Sequence, residues 1–548
     1  MKHRYWHFSI MTIASLLAIP LIVVIANIFV PAGDVWQHLA STVLQDYVLN
    51  SLLLMIGVAI GSLILGVGTA WLVSVTEFSG RRFFEWALLL PMAIPAYIIA
   101  YTYTGLLDFA GPVQGLLREL TGWGYGDYWF PEIRSLEGAA IMLSLVLYPY
   151  IYLLTRAAFL SQSLCVLEVS RSLGNGPWRT FFYVALPLAR PAIVAGLSLV
   201  LMETLADYGT VQYFGVSTFT TGIFRTWYGL DNAPAAAQLA AILLMFVVVL
   251  VTLERYSRRQ TRYHHSARNK QPLRRLKLTG WANTNAALFC WFILCAGFLV
   301  PALQLASWVL DTYTTMIDED FITLFANTLK LAIFSALLAL FIALVLNYGR
   351  RLQPTNTIRF AIRVAGLGYA IPGTVIAVGV AIPFGWFDNT LDSWMRTQFN
   401  ISTGLLLSGT IAALLFAYMV RFLTISLHAV ETGLERITPS MDEAARAMGE
   451  KPLGILGRIH IPMLKGSLLT ALLLVFVDVL KELPATLILR PFNFNTLAVR
   501  AYELASDERL ADSSSAALAI VVAGLIPVIL LSHSLSKTNK KPSRKLKS

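Results

Sequence analysis

The chain has 548 residues, of which 57% are apolar and 13% are charged, and its net charge is +11. A soluble globular protein has about 25% charged residues, so a soluble fold is excluded. Intrinsic disorder is excluded as well, because it combines low hydrophobicity with high net charge. Three cysteines are too few for a disulfide scaffold. The composition therefore predicts a helical membrane protein with several spans.

Twelve runs are apolar over the roughly 20 residues needed to cross a hydrocarbon core about 30 Å thick. They cover residues 8–30, 48–75, 86–107, 138–160, 190–208, 236–253, 282–309, 327–347, 362–385, 404–423, 466–481 and 516–533. The first run is longer than the core of roughly 7–15 residues in a signal peptide, so we interpret it as a span. We predict an all-α membrane protein with twelve transmembrane helices.

The charged residues indicate the orientation of these spans. The loop after the sixth run has nine Lys and Arg residues, the C-terminal tail has six, and the loop after the seventh run has four acids and no base. Because cytoplasmic loops are enriched in Lys and Arg, we expect both termini and the central loop in the cytoplasm. The positive charge then follows from topology and contact with membrane lipids, and we expect no nucleic-acid partner.

Two copies of one six-span unit are visible at an offset of about half the chain. Asn50-Ser51-Leu52 and Asn327-Thr328-Leu329 are 277 positions apart, as are Ile94-Pro95 and Ile371-Pro372. Six further pairs are 275 positions apart: Glu168 and Glu443, Arg171 and Arg446, Gly174 and Gly449, Pro177 and Pro452, Pro187 and Pro462, and Arg190 and Lys465. Since six is even, both copies start on the same side, which predicts parallel repeats about an axis along the membrane normal.

The repeat divides the chain into four predicted segments. They are a first permease half (1–253), a basic cytoplasmic linker (254–281), a second half (282–535) and a basic cytoplasmic tail (536–548).

The loops after the fourth and tenth spans read as helix, turn, helix. Gly174 and Gly449 stand where a helix end favours a left-handed residue. Pro187 and Pro462 are expected to end the second helix of each loop before the chain re-enters the membrane.

Glu443-Ala444-Ala445, followed by Gly449, Ile459 and Pro462, resembles the EAA loop of binding-protein-dependent ABC importer permeases. The first copy has Glu168-Val169-Ser170 in place of the triplet. The resemblance implies a type I permease fold and a loop helix that docks on an ATPase subunit. The implied coupling residues are Glu168, Arg171, Gly174, Pro187, Glu443, Ala444, Ala445, Arg446, Gly449 and Pro462.

A separate chain is expected to hydrolyse ATP. The sequence has no G-x-x-x-x-G-K-[ST] motif, which a P-loop requires to hold phosphates. We therefore expect no cofactor on this chain and no enzymatic activity of its own. ATP and Mg are expected on the partner ATPase. We expect that ATPase to be a homodimer, which matches the pseudo-two-fold axis.

The segment Ala206–Thr210 and the stretch Lys481–Thr486, followed by Leu489-Arg490-Pro491, resemble the ferric-iron importer permeases. This implies alternating access in a bacterial inner membrane and delivery of ferric iron by a periplasmic binding protein. Permeases for thiamine, polyamines or phosphonates remain alternatives. A 6+6 secondary transporter driven by an ion gradient is the rival class, and the two long loops with matched Glu-Gly-Pro spacing favour the importer.

Ionisable groups within spans are functional candidates because they are costly there. Glu203 and Asp207 are four residues apart, and Asp478 and Glu482 repeat them 275 positions later. Oxygen ligands suit ferric iron, a hard cation. The candidate pathway residues are Glu203, Asp207, Tyr208, Asp478, Lys481, Glu482 and Tyr97. Pairing of Lys481 with these acids to hold a gate is the alternative, and we expect no tight metal site, because a conduit must release its ion.

Overall fold

The computed structural model describes residues 2–124, 126–161, 170, 173–174, 176–259 and 275–538. In the first sequence half the helices are α1 (Lys2–Ala26), α2 (Asp34–Thr42), α3 (Leu44–Val75), α4 (Arg81–Ala87), α5 (Ala96–Leu107), α6 (Pro112–Thr121), α7 (Leu136–Ser161), α8 (Pro177–Thr180), α9 (Leu186–Ala206), α10 (Gly209–Tyr213), α11 (Phe219–Phe224) and α12 (Ala233–Arg259).

The second half contains twelve described helices. They are α13 (Trp281–Leu294), α14 (Val300–Met316), α15 (Glu319–Leu352), α16 (Asn356–Ala365), α17 (Gly373–Phe399), α18 (Ile411–Leu434), α19 (Pro439–Ala447), α20 (Pro452–Ile455), α21 (Ile461–Leu480), α22 (Pro484–Leu489), α23 (Leu497–Ser506) and α24 (Leu510–Thr538). Strands β1 (Thr76–Glu77) and β2 (Leu276–Lys277) pair in parallel.

Membrane-spanning helices dominate the described part of the chain. Within it, 11 helices are long and apolar enough to cross a membrane, and a bent pair, Arg81–Ala93 with Ala96–Thr121, brings the number to 12. The twelve-span prediction is confirmed in this sense.

The third span of each half is broken at its Ile-Pro pair. Ile94 and Ile371 have extended backbone conformations, with ψ of 120° and 129°. A residue before proline disfavours the α conformation because the proline ring clashes with its backbone. The apolar runs 86–107 and 362–385, continuous in sequence, are therefore each divided, and the bend in the first half is 91°.

The expectation that Pro187 and Pro462 end a helix is wrong. Each follows a π-helical turn, at Phe181–Ala185 and Leu456–His460, and the chain continues as one span of 29 residues. In such a turn an N–H bonds to the carbonyl five residues back, as Leu186 N–H does to Phe181 O. The wide turn shifts the helix register just before the proline, so that its missing N–H is accommodated.

The tenth apolar run, 404–423, does not match the observed helix. α18 starts at Ile411, because Asp388 of α17 accepts hydrogen bonds from the backbone N–H groups of Leu407 and Ser408 and holds the preceding segment as a loop. Gly404 and Gly409 have positive φ in that loop.

Two compact units form, and each draws on both sequence halves. The first comprises residues 1–38, 223–244 and 315–500, and the second comprises 39–222, 245–314 and 501–548. The units thus do not follow the repeat boundaries, and the segment limits 1–253, 254–281, 282–535 and 536–548 stay predictions.

In the first unit α1 packs against α16 and α17, and α15, α18 and α21 pack together. A Cβ atom on Gly379 of α17 would lie 2.5 Å from the carbonyl oxygen of Pro20 in α1. This approach requires glycine, because small residues let membrane helices come close.

In the second unit α3, α7 and α9 pack together. A Cβ atom on Gly66 or Gly196 would lie 2.8 Å from Ile151 of α7. Glycines of α3 and α9 thus both lie against Ile151 of α7. Small residues at such an interface let membrane helices pack closely.

Candidate functional site

The loop after α18, residues 435–462, is here called the second loop. α19 ends in a turn at Gly449, whose φ is +86°, and its N–H bonds to Arg446 O at 3.0 Å. Glu450 N–H reaches Ala445 O at 3.0 Å. These bonds and the left-handed glycine form a helix C-terminal cap. The predicted helix-turn-helix geometry is confirmed in this loop.

α19 presents two different faces. Asp442 and Ala445 are buried, whereas Glu443, Ala444 and Arg446 are exposed. The three residues of the EAA triplet are therefore divided, with the last alanine packed inward and the first two residues outward.

A largely buried network of charged and polar side chains joins α19 to its neighbours. Arg351, at the end of α15, donates from Nε to Asp442 Oδ2 at 2.7 Å, and His460 Nε2 lies 2.7 Å from Asp442 Oδ1. Burial alone would raise the pKa of Asp442, but the hydrogen bonds from Arg351 and His460 outweigh burial and hold that pKa below its ordinary value. Asp442 is thus a charged anchor under the loop.

The corresponding loop after α7, residues 162–187, is here called the first loop, and the structure describes part of it. Gly174 has a φ of +81°, and the buried Ser170 and Thr180 hydroxyls lie 3.1 Å apart. Glu168 and Arg171 lie outside the described residues.

Both loops expose large apolar side chains at matching positions. Leu173 and Met448, 275 positions apart, are 74% and 77% exposed. Trp178 and Leu453, with the same offset, are 76% and 67% exposed. Apolar groups held outward beside a cap glycine are typical of a surface that a partner covers.

Two predicted pathway acids cap short helices. Asp207 accepts hydrogen bonds from the backbone N–H groups of Thr210 and Val211 at 3.1 Å, at the start of α10. Glu482 does the same for Ala485 and Thr486 in α22, at 2.9 and 3.0 Å. An aspartate and a glutamate therefore have one structural role in the two halves, which is to satisfy free N–H groups at a helix start.

The other two acids are half-buried. Asp478 pairs with Lys481 Nζ at 2.8 Å, which is the pairing that the gate alternative expects for this lysine. Glu203 holds the equivalent position on α9. Whether these carboxylates contact a passing ion stays a prediction.

Tyr97 and Tyr208 are buried and both face Tyr502 of α23. Their ring centroids lie 6.5 and 5.9 Å from that of Tyr502. Sequence reasoning missed Tyr502, because it lies in the short α23, outside the twelve apolar runs.

A largely buried arginine next to Glu482 was also missed. Arg421 of α18 donates to Glu482 Oε1 at 3.3 Å; the Glu482 side chain is buried, and that of Arg421 is 12% exposed. Arg421 stands inside an apolar run, and a charge in a span was the available signal. A Cβ atom on Gly373 would collide with the Arg421 guanidinium and lie 2.8 Å from Glu482 Oε1.

A repeated contact supports the internal repeat. Phe219 N–H, at the start of α11, bonds to Ser51 Oγ at 3.5 Å, and Leu497 N–H, at the start of α23, bonds to Thr328 Oγ1 at 2.9 Å. The hydroxyls of the predicted Asn-Ser-Leu and Asn-Thr-Leu repeat thus have the same contact in each half.

Comparison with known proteins gives a consistent result. Residues 62–262 match the family of binding-protein-dependent transport system inner membrane components. An Fe(3+)-transport system permease protein of Haemophilus influenzae is 28% identical, over 88% of each chain. A ferric transport system permease protein of Actinobacillus pleuropneumoniae is 24% identical, over 80% of this chain and 64% of its own. A molybdenum transport system permease protein of Haemophilus influenzae is 24% identical, over 37% of this chain and 88% of its own.

Proposed function

From the match of residues 62–262 to the family of binding-protein-dependent transport system inner membrane components, we propose that the chain is the permease of an ABC importer for ferric iron. The protein is a multi-pass inner membrane protein that works with an ATPase and a periplasmic binding protein. Ferric iron delivered by that binding protein crosses by alternating access between the two halves.

The paired loops carry the coupling part of this proposal. Each exposes two large apolar side chains beside a left-handed glycine, in register with the repeat. A homodimeric ATPase presents the same groove twice and so matches such a pair. ATP and Mg belong to that partner, and no cofactor is assigned to this chain.

The cargo assignment rests on the extent of the resemblance to iron permeases and on the oxygen-rich side chains of spans five and eleven. The most extensive of the reported matches covers 88% of this chain, including both halves. Carboxylates and tyrosines offer the hard oxygen ligands that ferric iron prefers. Because Asp207 and Glu482 are bonded to helix N-termini, they shape the pathway more than they bind the ion.

The orientation follows from charge. The tail with six basic residues and the central loop with nine belong on the cytoplasmic side. Both termini are then cytoplasmic, and the two loops face the ATPase.

Uptake of radiolabelled ferric iron in cells that carry the permease, its ATPase and its binding protein tests this proposal. Glu168→Lys combined with Glu443→Lys should abolish uptake, because both reverse a charge on the docking loops. Glu435→Lys is the matched control, since Glu435 is exposed and precedes α19 by four residues; it should transport normally.

Three results contradict the proposal in different ways. Normal uptake by the double variant overturns the role of the loop glutamates. Uptake without the ATPase indicates a secondary transporter. An expressed wild-type complex that takes up no iron points to thiamine, polyamines or phosphonates as cargo.

A further inference from the structure

The second loop is attached to its spans by a network of charged and polar side chains. Arg351, Asp442 and His460 form this largely buried network between α15, α19 and α21. We call these three residues the loop clamp. All of them lie in the first compact unit.

Arg351 connects the clamp to the backbone as well. Besides Asp442, its guanidinium donates to the carbonyl oxygens of Leu434 and Ile437, both at 2.9 Å. Both carbonyls lie at or just after the end of α18. The last carbonyl groups of a helix have no N–H partner within the helix, so a side-chain donor can bond to them. One side chain therefore ties three helices, α15, α18 and α19, at a single point.

His460 completes the clamp from the start of α21. Its ring is fully buried and packs edge-on against Tyr348, with centroids 5.5 Å apart. Nδ1 has no hydrogen-bond partner in the described parts of the chain, so the tautomer with the proton on Nε2 is the one that donates to Asp442. Tyr348 in turn donates its hydroxyl to Pro452 O at 2.5 Å.

The sequence of the first copy has no equivalent of the three clamp residues. With the offsets of the repeat, Asp442 corresponds to Leu167, His460 to Ala185 and Arg351 to Ser74. Ser74 Oγ is buried and makes no hydrogen bond within the residues that the structure describes. At the position of Tyr348 stands Trp71, which packs against Phe159 and Phe181 with ring centroids 5.5 and 4.9 Å apart.

We infer that the loop clamp makes α19 move as one body with α15 and α21, and that the first loop, whose sequence has no equivalent of these three residues, yields more to force. Arg351, Asp442 and His460 are positioning residues, because they act through α19 and contact no substrate. The inference rests on the proposed coupling function. It adds that the ATPase stroke is transmitted mainly through the second half.

Directional bonds are the physical reason for this difference. Hydrogen bonds to a charged group are short and about twice as strong as neutral ones, and they fix angles. Apolar contacts are non-directional and let surfaces slide. A helix pushed by a partner therefore keeps its angle to the spans where the clamp is present.

Four variants test the clamp. Asp442→Asn removes the charge, and His460→Leu removes the donor. His460→Gln keeps an N–H group that can reach Asp442. Glu450→Gln is the control. It removes an ion pair of the same loop that lies outside the clamp, the pair between Glu450 and the exposed Arg458.

The first readout does not depend on cargo. Spin labels at positions 441 and 341, both exposed and both in the first unit, report the distance between α19 and α15 in the full complex with its ATPase. We expect a narrow distribution in the wild type, His460→Gln and Glu450→Gln, and a distribution at least about twice as wide in Asp442→Asn and His460→Leu.

The second readout is the number of ATP molecules hydrolysed per iron ion transported. It should rise about tenfold in Asp442→Asn and His460→Leu, with the ATPase still bound, and stay unchanged in the other two. Wild-type distance distributions and ratios in His460→Leu would overturn the inference. Failure of the wild type to transport iron would overturn the cargo alone, because the distance measurement remains.

Discussion

At the scale of single residues, Gly373 shows how one missing side chain permits a buried charge pair. It is the first residue of α17, directly after the Ile-Pro break, and Arg421 and Glu482 occupy the space that a Cβ atom would fill. The Glu482 side chain is buried and that of Arg421 is 12% exposed, and Glu482 also holds the start of α22. Removing one partner of such a pair is costly because it leaves an unpaired charge out of water.

Replacing Gly373 with alanine should therefore destabilise the protein by about 1–3 kcal/mol, the range for overpacking a filled site. Gly385→Ala is the matched control, because Gly385 is in the same helix and a Cβ atom added there would meet nothing within 4 Å. Thermal unfolding of the detergent-solubilised permease measures both. Equal melting temperatures for the two variants would contradict this account of Gly373.

At the scale of elements, the end of the predicted linker forms regular structure. Leu276 and Lys277 form β2 against β1, and Arg275 Nη1 lies 3.8 Å from Glu77 Oε2. The last residues of the predicted linker thus pair with backbone groups of β1, which a basic composition does not indicate.

A cluster of charges lies beside this strand pair. Glu85 contacts two buried arginines, Arg81 at 3.2 Å and Arg156. Glu77 contacts Arg81 as well, at 3.1 Å, but its side chain is 42% exposed. A carboxylate this open to water contributes about 0–1 kcal/mol because water screens it. A carboxylate that neutralises two buried cations contributes far more.

We therefore expect Glu85→Gln to destabilise the protein by about 3 kcal/mol or more, and Glu77→Gln by less than about 1 kcal/mol. The free energy of unfolding of each variant and of the wild type is measured in detergent, from the fraction of folded protein as temperature or denaturant concentration rises. A larger effect for Glu77→Gln would show that the arginines are not held mainly by Glu85.

At the scale of the whole molecule, both compact units combine segments from both sequence halves. The first unit takes α1 and residues 223–244 from the first half and residues 315–500 from the second. The second unit takes residues 245–314 and 501–548 together with 39–222. Helix α1 buries Ile10 and Val24 completely, in a unit otherwise made mostly by the second half.

A chain cut between residues 259 and 275 should thus yield two fragments that are stable only together. Each fragment alone would leave helix faces uncovered in both units. Co-expression and purification through a tag on one fragment should recover the other in equal amount. An isolated fragment that is monodisperse and stable in detergent would contradict this interleaving.

Much of the fold was predictable, because hydrophobic length is a local property. The span number and the helix-turn-helix with Gly449 are decided by short stretches of chain. The helix breaks at Pro95 and Pro372 are local as well, but the runs 86–107 and 362–385 were each predicted as one continuous span. The continued helices at Pro187 and Pro462 were not predictable. A π turn changes the register of the helix, and packing along the whole span determines whether it forms.

The sequence by itself determined the class, the repeat and the position of the two loops, since composition and spacing carry them. Only the tertiary structure decided which acids are caps, which arginine faces Glu482 and which loop has a clamp. The physical reason is that the role of a charged side chain depends on the groups that surround it in the folded protein. For Asp442 these are Arg351, 91 residues away, and His460, on another helix.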